Sequence, residues 1–595
     1  MIRILFSLTF FLSFFLFQAQ ISSKYNISFE NAIHHEANIN ATFNHLKADE
    51  VLFTMSRSSP GRYALHEFAK NVYNVKVTDG KGKELMVTRP DPYSWSVKGH
   101  DGTIHVSYTL FANHGDGTYA QIDETHAHLN LPATFIYVPE LEAQEIEVTF
   151  DVREDLNWKI ATQLKHRQDN TYYAKDFQYF MDSPVEIANF RKRSFVVKDQ
   201  TITFVLHDDA ATEEQLDAYF DKVKKVVLEQ MQVFGELPRF DYGEYTFLAC
   251  YTPNAIGDGM EHRNSTSIPS SRSLSKGGLE INIGTVAHEF FHIWNVERLR
   301  PKSLEPFDFS RANMSGDLWF AEGFTSYYDD LSLVRSGIMG QEKYIEGLVR
   351  TFNYVWTSPG RQFFTPIGMS YQAPFVDAAR SVDDTNRENT FISYYSYGSM
   401  LALSLDLSLR EKNLDLDDYM AFVWNGYGKP EIPYTVDDLH HSLNQFAGKE
   451  FGDDFFNKYI FKSGMPDYEQ LLKQVGVNLI TKNDIDFGAS VRNQKIMSNP
   501  KMGSSAYKSG LQKGDKILQI GGIVFDGNAS INSILNTFTV GEEVPVVYER
   551  FGSQNKNILT IATDISYDMK LMEENSKELD KKRKDNRGSW LNSKM

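Results

Sequence analysis

Two histidines four residues apart, His288 and His292, enclose an acid, Glu289, in the run Val286-Ala287-His288-Glu289-Phe290-Phe291-His292-Ile293-Trp294. A four-residue step is about one turn of α-helix, so both imidazoles leave the same face and can share one tetrahedral Zn²⁺ at about 2.0 to 2.1 Å. Glu289, one position past the first imidazole, reaches a water at the metal without being a ligand itself. The pattern therefore requires a helix whose histidine face looks into a cleft. Leu279-Glu280-Ile281-Asn282-Ile283 alternates like a strand, Gly284-Thr285 offers a break and a capping hydroxyl, and Pro301 bars any further helix. A helix is expected from about Val286 to Arg298. Phe290, Phe291 and Trp294 give it the apolar bulk of a helix beside a cleft floor. The plainer reading is a core helix with two satisfied histidines.

A catalytic zinc site keeps one coordination position open and so takes a third protein ligand. Glu322 is the candidate, in Asp317-Leu318-Trp319-Phe320-Ala321-Glu322-Gly323-Phe324-Thr325-Ser326-Tyr327-Tyr328. Asp317 is expected to cap a second helix, with Ser326 and Asp329 on the face of Glu322. Either can orient a ligating histidine, because such rings usually donate their other N–H to a carboxylate or carbonyl. The alternative is that Glu322 is a solvated helix acid.

These segments resemble the gluzincin metallopeptidases, most closely the M61 glycyl aminopeptidase family, relatives of the M1 aminopeptidases. His288 to Val296 with Arg298, Arg300 and Pro301 is similar to the M61 ligand helix, and Trp319 to Tyr328 to its third-ligand helix. The interval between His292 and Glu322 is longer than the M1 pattern and favours M61. Gly257-Asp258-Gly259-Met260-Glu261-His262-Arg263-Asn264-Ser265-Thr266 resembles the family's substrate segment. The resemblance makes Glu261 the carboxylate that receives the substrate's free α-amine, with Gly259 and Met260 beside it. An ammonium paired there fixes the cut one residue from the N-terminus. Phe391 to Ser399 looks like the segment carrying the catalytic tyrosine. Aligned on Gly398, it selects Tyr395 as oxyanion donor, or Tyr394 if the register slips by one. Tyr397 stands where the family has Lys.

At 595 residues, 42% hydrophobic and 23% charged, the chain has room for three or four globular domains. A net charge of −17 argues against nucleic acid, and Lys581-Lys582-Arg583-Lys584 reads as a solvated terminus. Met1-Ile2-Arg3, an apolar run from Ile4 to Phe17 and then Gln18-Ala19-Gln20 read as a signal peptide over 1–20, cleaved near Ala19, so the protein is expected in the periplasm or secreted. An uncleaved anchor is the alternative, although the run is short for a stable membrane span. The single Cys250 cannot make an internal disulfide and reads as a small core residue.

The fold class expected is multidomain α+β. Residues 21–170, with short alternating segments broken by Asp79-Gly80, Asp101-Gly102 and Asp116-Gly117, read as an antiparallel β domain. Within it, His34-His35 and His126-Ala127-His128 lack a carboxylate cluster at ligand spacing and are assigned surface or packing roles. Ser59-Pro60-Gly61-Arg62-Tyr63 is similar to a turn of the M61 β domain. Residues 171–475 are expected to form a thermolysin-like zinc peptidase domain. Ser509-Gly510-Leu511-Gln512-Lys513-Gly514-Asp515-Lys516-Ile517-Leu518-Gln519-Ile520-Gly521-Gly522 resembles a PDZ core, placing such a domain at 476–566 with its carboxylate loop near Phe487-Gly488-Ala489. That loop would receive peptide C-termini, unless the domain is purely structural. Residues 567–595 read as a polar, disordered tail.

Together the reading is an exported aminopeptidase with one Zn²⁺, removing a small N-terminal residue from peptides. A zinc endopeptidase and a catalytically silent PDZ scaffold are the rivals.

Overall fold

The computed structural model of the protein describes residues 21–376, 383–575 and 579–595. The apolar leader and its cleavage point near Ala19 lie outside the described residues. Among those described, no helix is long and apolar enough to cross a membrane.

The first unit is built from sheets. Its largest has seven strands in the order Lys165–Gln168, Thr171–Ala174, Ile146–Asp151, Ser23–Ser28, Glu36–Asn44, Thr103–Phe111, Val72–Asp79. Period-2 patterning holds it to the core: Ile104, Val106, Tyr108 and Leu110 are all buried. One pairing departs from the antiparallel expectation, since Ser23–Ser28 runs parallel to Ile146–Asp151. A strand contributed this late in the unit returns after many intervening elements, so no hairpin dictates its direction. Two four-stranded sheets complete the unit. One of them, Lys159–Thr162, Val185–Ala188, His126–Leu129 and Gln121–Ile122, lies against the next domain.

The second domain opens with a five-stranded sheet in the order Arg191–Val197, Gln200–His207, Glu244–Tyr251, Ser265–Ser270, Met260–His262. Its three central strands are parallel and its two edges antiparallel. The crossover helix Glu213–Phe234 starts on a capping box in which Thr212 and Gln215 exchange side-chain and backbone bonds. On this sheet pack the helices Gly278–Phe291, Gly323–Arg335, Gln341–Trp356 and Tyr394–Arg410, in one continuous core with the strands.

The helix carrying the histidine pair runs from Gly278 to Phe291, not from Val286 to Arg298. The apparent strand 279–283 forms its first turns: Ile281 is exposed while Asn282, Ile283, Val286 and Phe290 are buried, a helical stripe. Gly277, at φ 86°, starts it in place of Thr285, and Asn282 ties the first turn down by donating to the Arg272 carbonyl at 2.8 Å. It ends early because His292 Nδ1 donates to the Asn295 carbonyl at 2.6 Å, turning the chain out of the helix.

A ribbon of Val477–Ile485 antiparallel to Thr563–Leu571 leads to and from a small module. The module has a sheet centred on Lys516–Ile520 and Glu543–Arg550, two short helices, Ser505–Lys508 and Ile531–Leu535, and its own core around Phe487, Ile517, Ile520, Val546 and Leu559. The C-terminus is not a disordered tail. Thr563–Leu571 continues to residue 571, and Lys581–Leu591 is a helix whose Trp590 is fully buried in the core of the second domain. Trp590 Nε1 donates to the Tyr327 hydroxyl at 2.8 Å, and Lys594 pairs with Asp415 at 3.0 Å. The polar composition misled because one indole supplies the anchor and the charges meet complementary partners.

Candidate metal centre and peptide site

The helix Gly278–Phe291 brings His288 to its last turn and His292 to its C-cap, and the next elements bring Glu322 to them. Glu322 follows the short helix Leu318–Ala321 and opens Gly323–Arg335. Asp317 does not cap with its side chain; its carboxylate instead accepts from Ser315 Oγ at 3.2 Å. Asn295 fastens the two segments together, donating to the carbonyls of Phe320 and Ala321 at 3.1 and 3.0 Å.

Glu322 Oε2 lies 3.2 Å from His292 Nε2 and 3.7 Å from His288 Nε2, and the two imidazole nitrogens are 3.2 Å apart. Each ring is held from behind: His288 Nδ1 faces Asp329 Oδ2 at 2.9 Å, and His292 Nδ1 donates to the Asn295 carbonyl. Of the two orienting residues expected from sequence, Asp329 therefore faces a histidine ring, and the Asn295 carbonyl holds the other. Three donor atoms converging within 4.8 Å, with each ring's second nitrogen engaged, fit a tetrahedral cation of zinc type.

Glu289, Glu261, Gly259, Met260 and Tyr395 line the same cavity of about 350 Å³ as His288, His292 and Glu322. Glu261 lies on the edge strand Met260–His262 opposite Thr266 and is buried. Glu261, Glu289 and His292 each bring a donor atom within 4.8 Å of the others. Burial pushes the Glu289 carboxyl up to about 8, against the pull of His288 and His292 and with the push of Glu261 and Glu322. Burial likewise raises Glu261, with Glu322 adding to it against His292. A divalent cation in the cage would draw both back down. Gly259 leaves room for Glu289, since a Cβ on it would meet Glu289 Oε1 at 2.3 Å and push the acid aside.

Tyr395 faces this space, its ring 5.9 Å from that of His288, whereas Tyr394 is buried behind it against Tyr63. The helices carrying Glu322 and Tyr395 cross closely at Gly323 and Gly398; a Cβ on Gly398 would meet the Trp319 carbonyl oxygen at 1.8 Å. Tyr397, in the place of the family lysine, is buried against Trp356.

Sequence reasoning missed what the first domain contributes. The turn around Gly61 enters the cavity: Arg62 pairs with Asp258, and the Tyr63 hydroxyl donates to Glu322 Oε1 at 2.5 Å. A Cβ on Gly61, at φ 74°, would meet Met260 Sδ at 2.1 Å. The Ser59 to Tyr63 motif was the available signal, but nothing local says which face of the second domain it meets.

In the C-terminal module the Phe487 and Gly488 N–H groups are already engaged, donating to Asn532 Oδ1 at 3.0 Å and to Asp486 Oδ2 at 2.8 Å. The module docks on the catalytic domain through Asn389, which donates to the Pro500 carbonyl at 2.9 Å and accepts from Met502 N at 2.7 Å.

A sheet-floored helical domain presenting paired imidazoles, a third carboxylate and a free acid in one cavity defines a metallopeptidase. Residues 24–189 match the Peptidase M61 N-terminal domain, and residues 282–401 match the M61 glycyl aminopeptidase domain. These two stretches are thus similar to the N-terminal and the catalytic domain of the M61 family. Its structure is similar to that of an aminopeptidase N family protein from Idiomarina loihiensis, with a TM-score of 0.84 at 24% identity, covering 96% of this chain and 100% of that one. A variant of the M1 zinc metallopeptidase of Deinococcus radiodurans, bound to the substrate Tyr-Ser-Ala, aligns at a TM-score of 0.44 and 11% identity over 75% of this chain and 94% of that one. No curated protein matches the chain.

Proposed function

We propose that the protein is a zinc aminopeptidase that removes the N-terminal residue from peptides. His288, His292 and Glu322 would hold the ion, which when bound polarises the scissile carbonyl and makes water acidic enough to deprotonate near neutrality. Glu289, buried and outside the donor set, takes the proton from the attacking water and returns it to the leaving amine. Tyr395 donates its phenolic hydrogen bond to the oxygen on which negative charge develops. Tyr63 keeps Glu322 in its orientation through the hydrogen bond to Oε1.

The observation that carries the aminopeptidase reading is the position of Glu261. Its buried carboxylate is within 4.8 Å of donor atoms on Glu289 and His292, so a free α-ammonium bound there leaves one residue between itself and the scissile bond. Acetylation of a Gly-Xaa or Ala-Xaa peptide removes that charge and should abolish turnover, while free peptides are cleaved. Equal cleavage of both forms would establish an endopeptidase instead. A small first residue, glycine or alanine, is the preference that the family resemblance implies.

We read the module at 486–562 as PDZ-like, with a structural role. Its carboxylate loop uses two backbone N–H groups internally, which supports this over capture of peptide C-termini. Export is inferred from the leader at 1–20, and sequencing the N-terminus of protein from a cell-envelope or culture fraction tests it.

A further inference from the structure

Four polar side chains meet where the first domain rests on the second, far from any role in peptide cleavage. His126 and Glu186 come from paired strands of the first domain, and His207 and Cys250 are register partners on parallel strands of the second. All four are buried. A nitrogen of His126, a nitrogen of His207 and Cys250 Sγ lie within 4.8 Å of one another. His207 Nδ1 is 3.6 Å from Cys250 Sγ and 3.4 Å from Glu186 Oε1, close to the roughly 3.4 to 3.7 Å expected between donors around one tetrahedral zinc.

Hydrogen bonding does not account for the cluster. His126 Nδ1 is engaged by Thr125 Oγ1 at 2.8 Å, yet His126 Nε2 is fully buried with no partner among the described residues. Glu186 Oε2 is held by His128 Nδ1 at 2.9 Å, while Glu186 Oε1 has only the 3.4 Å pairing with His207 Nδ1. An unpartnered, fully buried ring nitrogen beside a buried thiol calls for an ion or an equivalent donor. The carboxylate that His126 and His128 lacked in the sequence is thus supplied by Glu186.

We propose that His126, His207 and Cys250 form a second, structural site for a thiophilic divalent cation of zinc type that pins the two domains together, with Glu186 beside His207 at its edge. A set of two imidazoles and a thiolate suits zinc and excludes the hard cations Mg²⁺ and Ca²⁺, which take oxygen ligands. The donors are fully buried between the two domains, so no substrate reaches the ion and the site stabilises without reacting. Without a cation, burial and Glu186 hold the Cys250 thiol protonated, so binding releases its proton to solvent. Being enclosed, the site loads as the domains assemble.

The test uses the full chain produced in zinc-depleted medium with cobalt, because Cys250 is the single cysteine of the chain and only this site can give a thiolate-to-cobalt charge-transfer band. We expect the band in the wild type and in His292→Gln, and its loss in Cys250→Ser and His126→Gln. Metal content should be about two ions per chain in the wild type and about one in Cys250→Ser and in His292→Gln. A wild type with no sulfur band overturns the proposal, as does a metal content that Cys250→Ser leaves unchanged. If Cys250→Ser does not fold, the wild type, His292→Gln and His126→Gln decide. A single ion that keeps its band in His292→Gln would support this site and sink the catalytic reading.

Discussion

The Tyr63 hydroxyl donates to Glu322 Oε1 at 2.5 Å, so a residue of the β-sheet domain holds a carboxylate of the catalytic cage. Both groups are buried, and Glu322 Oε2 is the oxygen facing the two imidazoles. Removing the hydroxyl leaves that carboxylate free to rotate without changing the donor set. Tyr63→Phe is expected to weaken metal retention and activity by about 10- to 100-fold, the usual effect of losing such a partner. Chelator titration followed by activity checks it, and unchanged retention would assign Tyr63 to packing alone.

Glu289 tests the proton-transfer role apart from the metal. Glu289→Gln keeps size and hydrogen bonding but cannot carry a proton, so kcat should fall by about 10²- to 10⁴-fold with metal content unchanged. Gly259→Ala should act through the same residue, since its Cβ would meet Glu289 Oε1 at 2.3 Å and displace the acid. Parallel assays of turnover and bound metal distinguish these outcomes from loss of the cage.

Asp317 predicts a pH dependence of stability. Burial raises its carboxyl to about 7, with Asp438 and Asp437 adding to the shift against Ser315, and its Oδ1 has no partner among the described residues. Below about pH 4 the group is protonated in both states and contributes nothing. As pH rises toward 7 the unfolded chain loses the proton while the folded one keeps it, so stability falls, and above 7 the full cost of about 4 kcal/mol is present. Asp317→Asn removes the titration. Its unfolding free energy should exceed the wild type's at pH 8 by several kcal/mol more than at pH 4, measured by denaturant titration at both.

The sequence made legible what is local. The i, i+4 pair and the acid between them follow from the period of one helix, Tyr395 is reached only through the family resemblance aligned on Gly398, and the four side chains line one cavity. The start of the ligand helix was misread because Leu279, Ile281 and Ile283 alternate, and only the sheet beneath decides that Ile281 faces water. Tyr63, on a turn, and the cluster of His126, Glu186, His207 and Cys250, on strands, join elements of separate domains, and no spacing within either domain reports where the other meets it. The closing helix was hidden for the opposite reason: its charges dominate composition while the Trp590 indole, Leu591 and the buried Arg587 dock it.

That indole gives the last prediction. Trp590 is fully buried, donates from Nε1 to the Tyr327 hydroxyl, and accepts at its carbonyl from Arg335 Nε at 3.0 Å. Tyr327 in turn donates to Asp406 at 2.6 Å, so the C-terminal helix completes a buried network that begins on the helix opened by Glu322. Trp590→Ala removes the side chain's packing and leaves Tyr327 short of a donor, at a cost of about 3 to 5 kcal/mol. Residues 579–595 should then become protease-sensitive, and the catalytic domain should melt earlier with its metal still bound at low temperature. A variant that melts like the wild type would show that this helix only rests on the core.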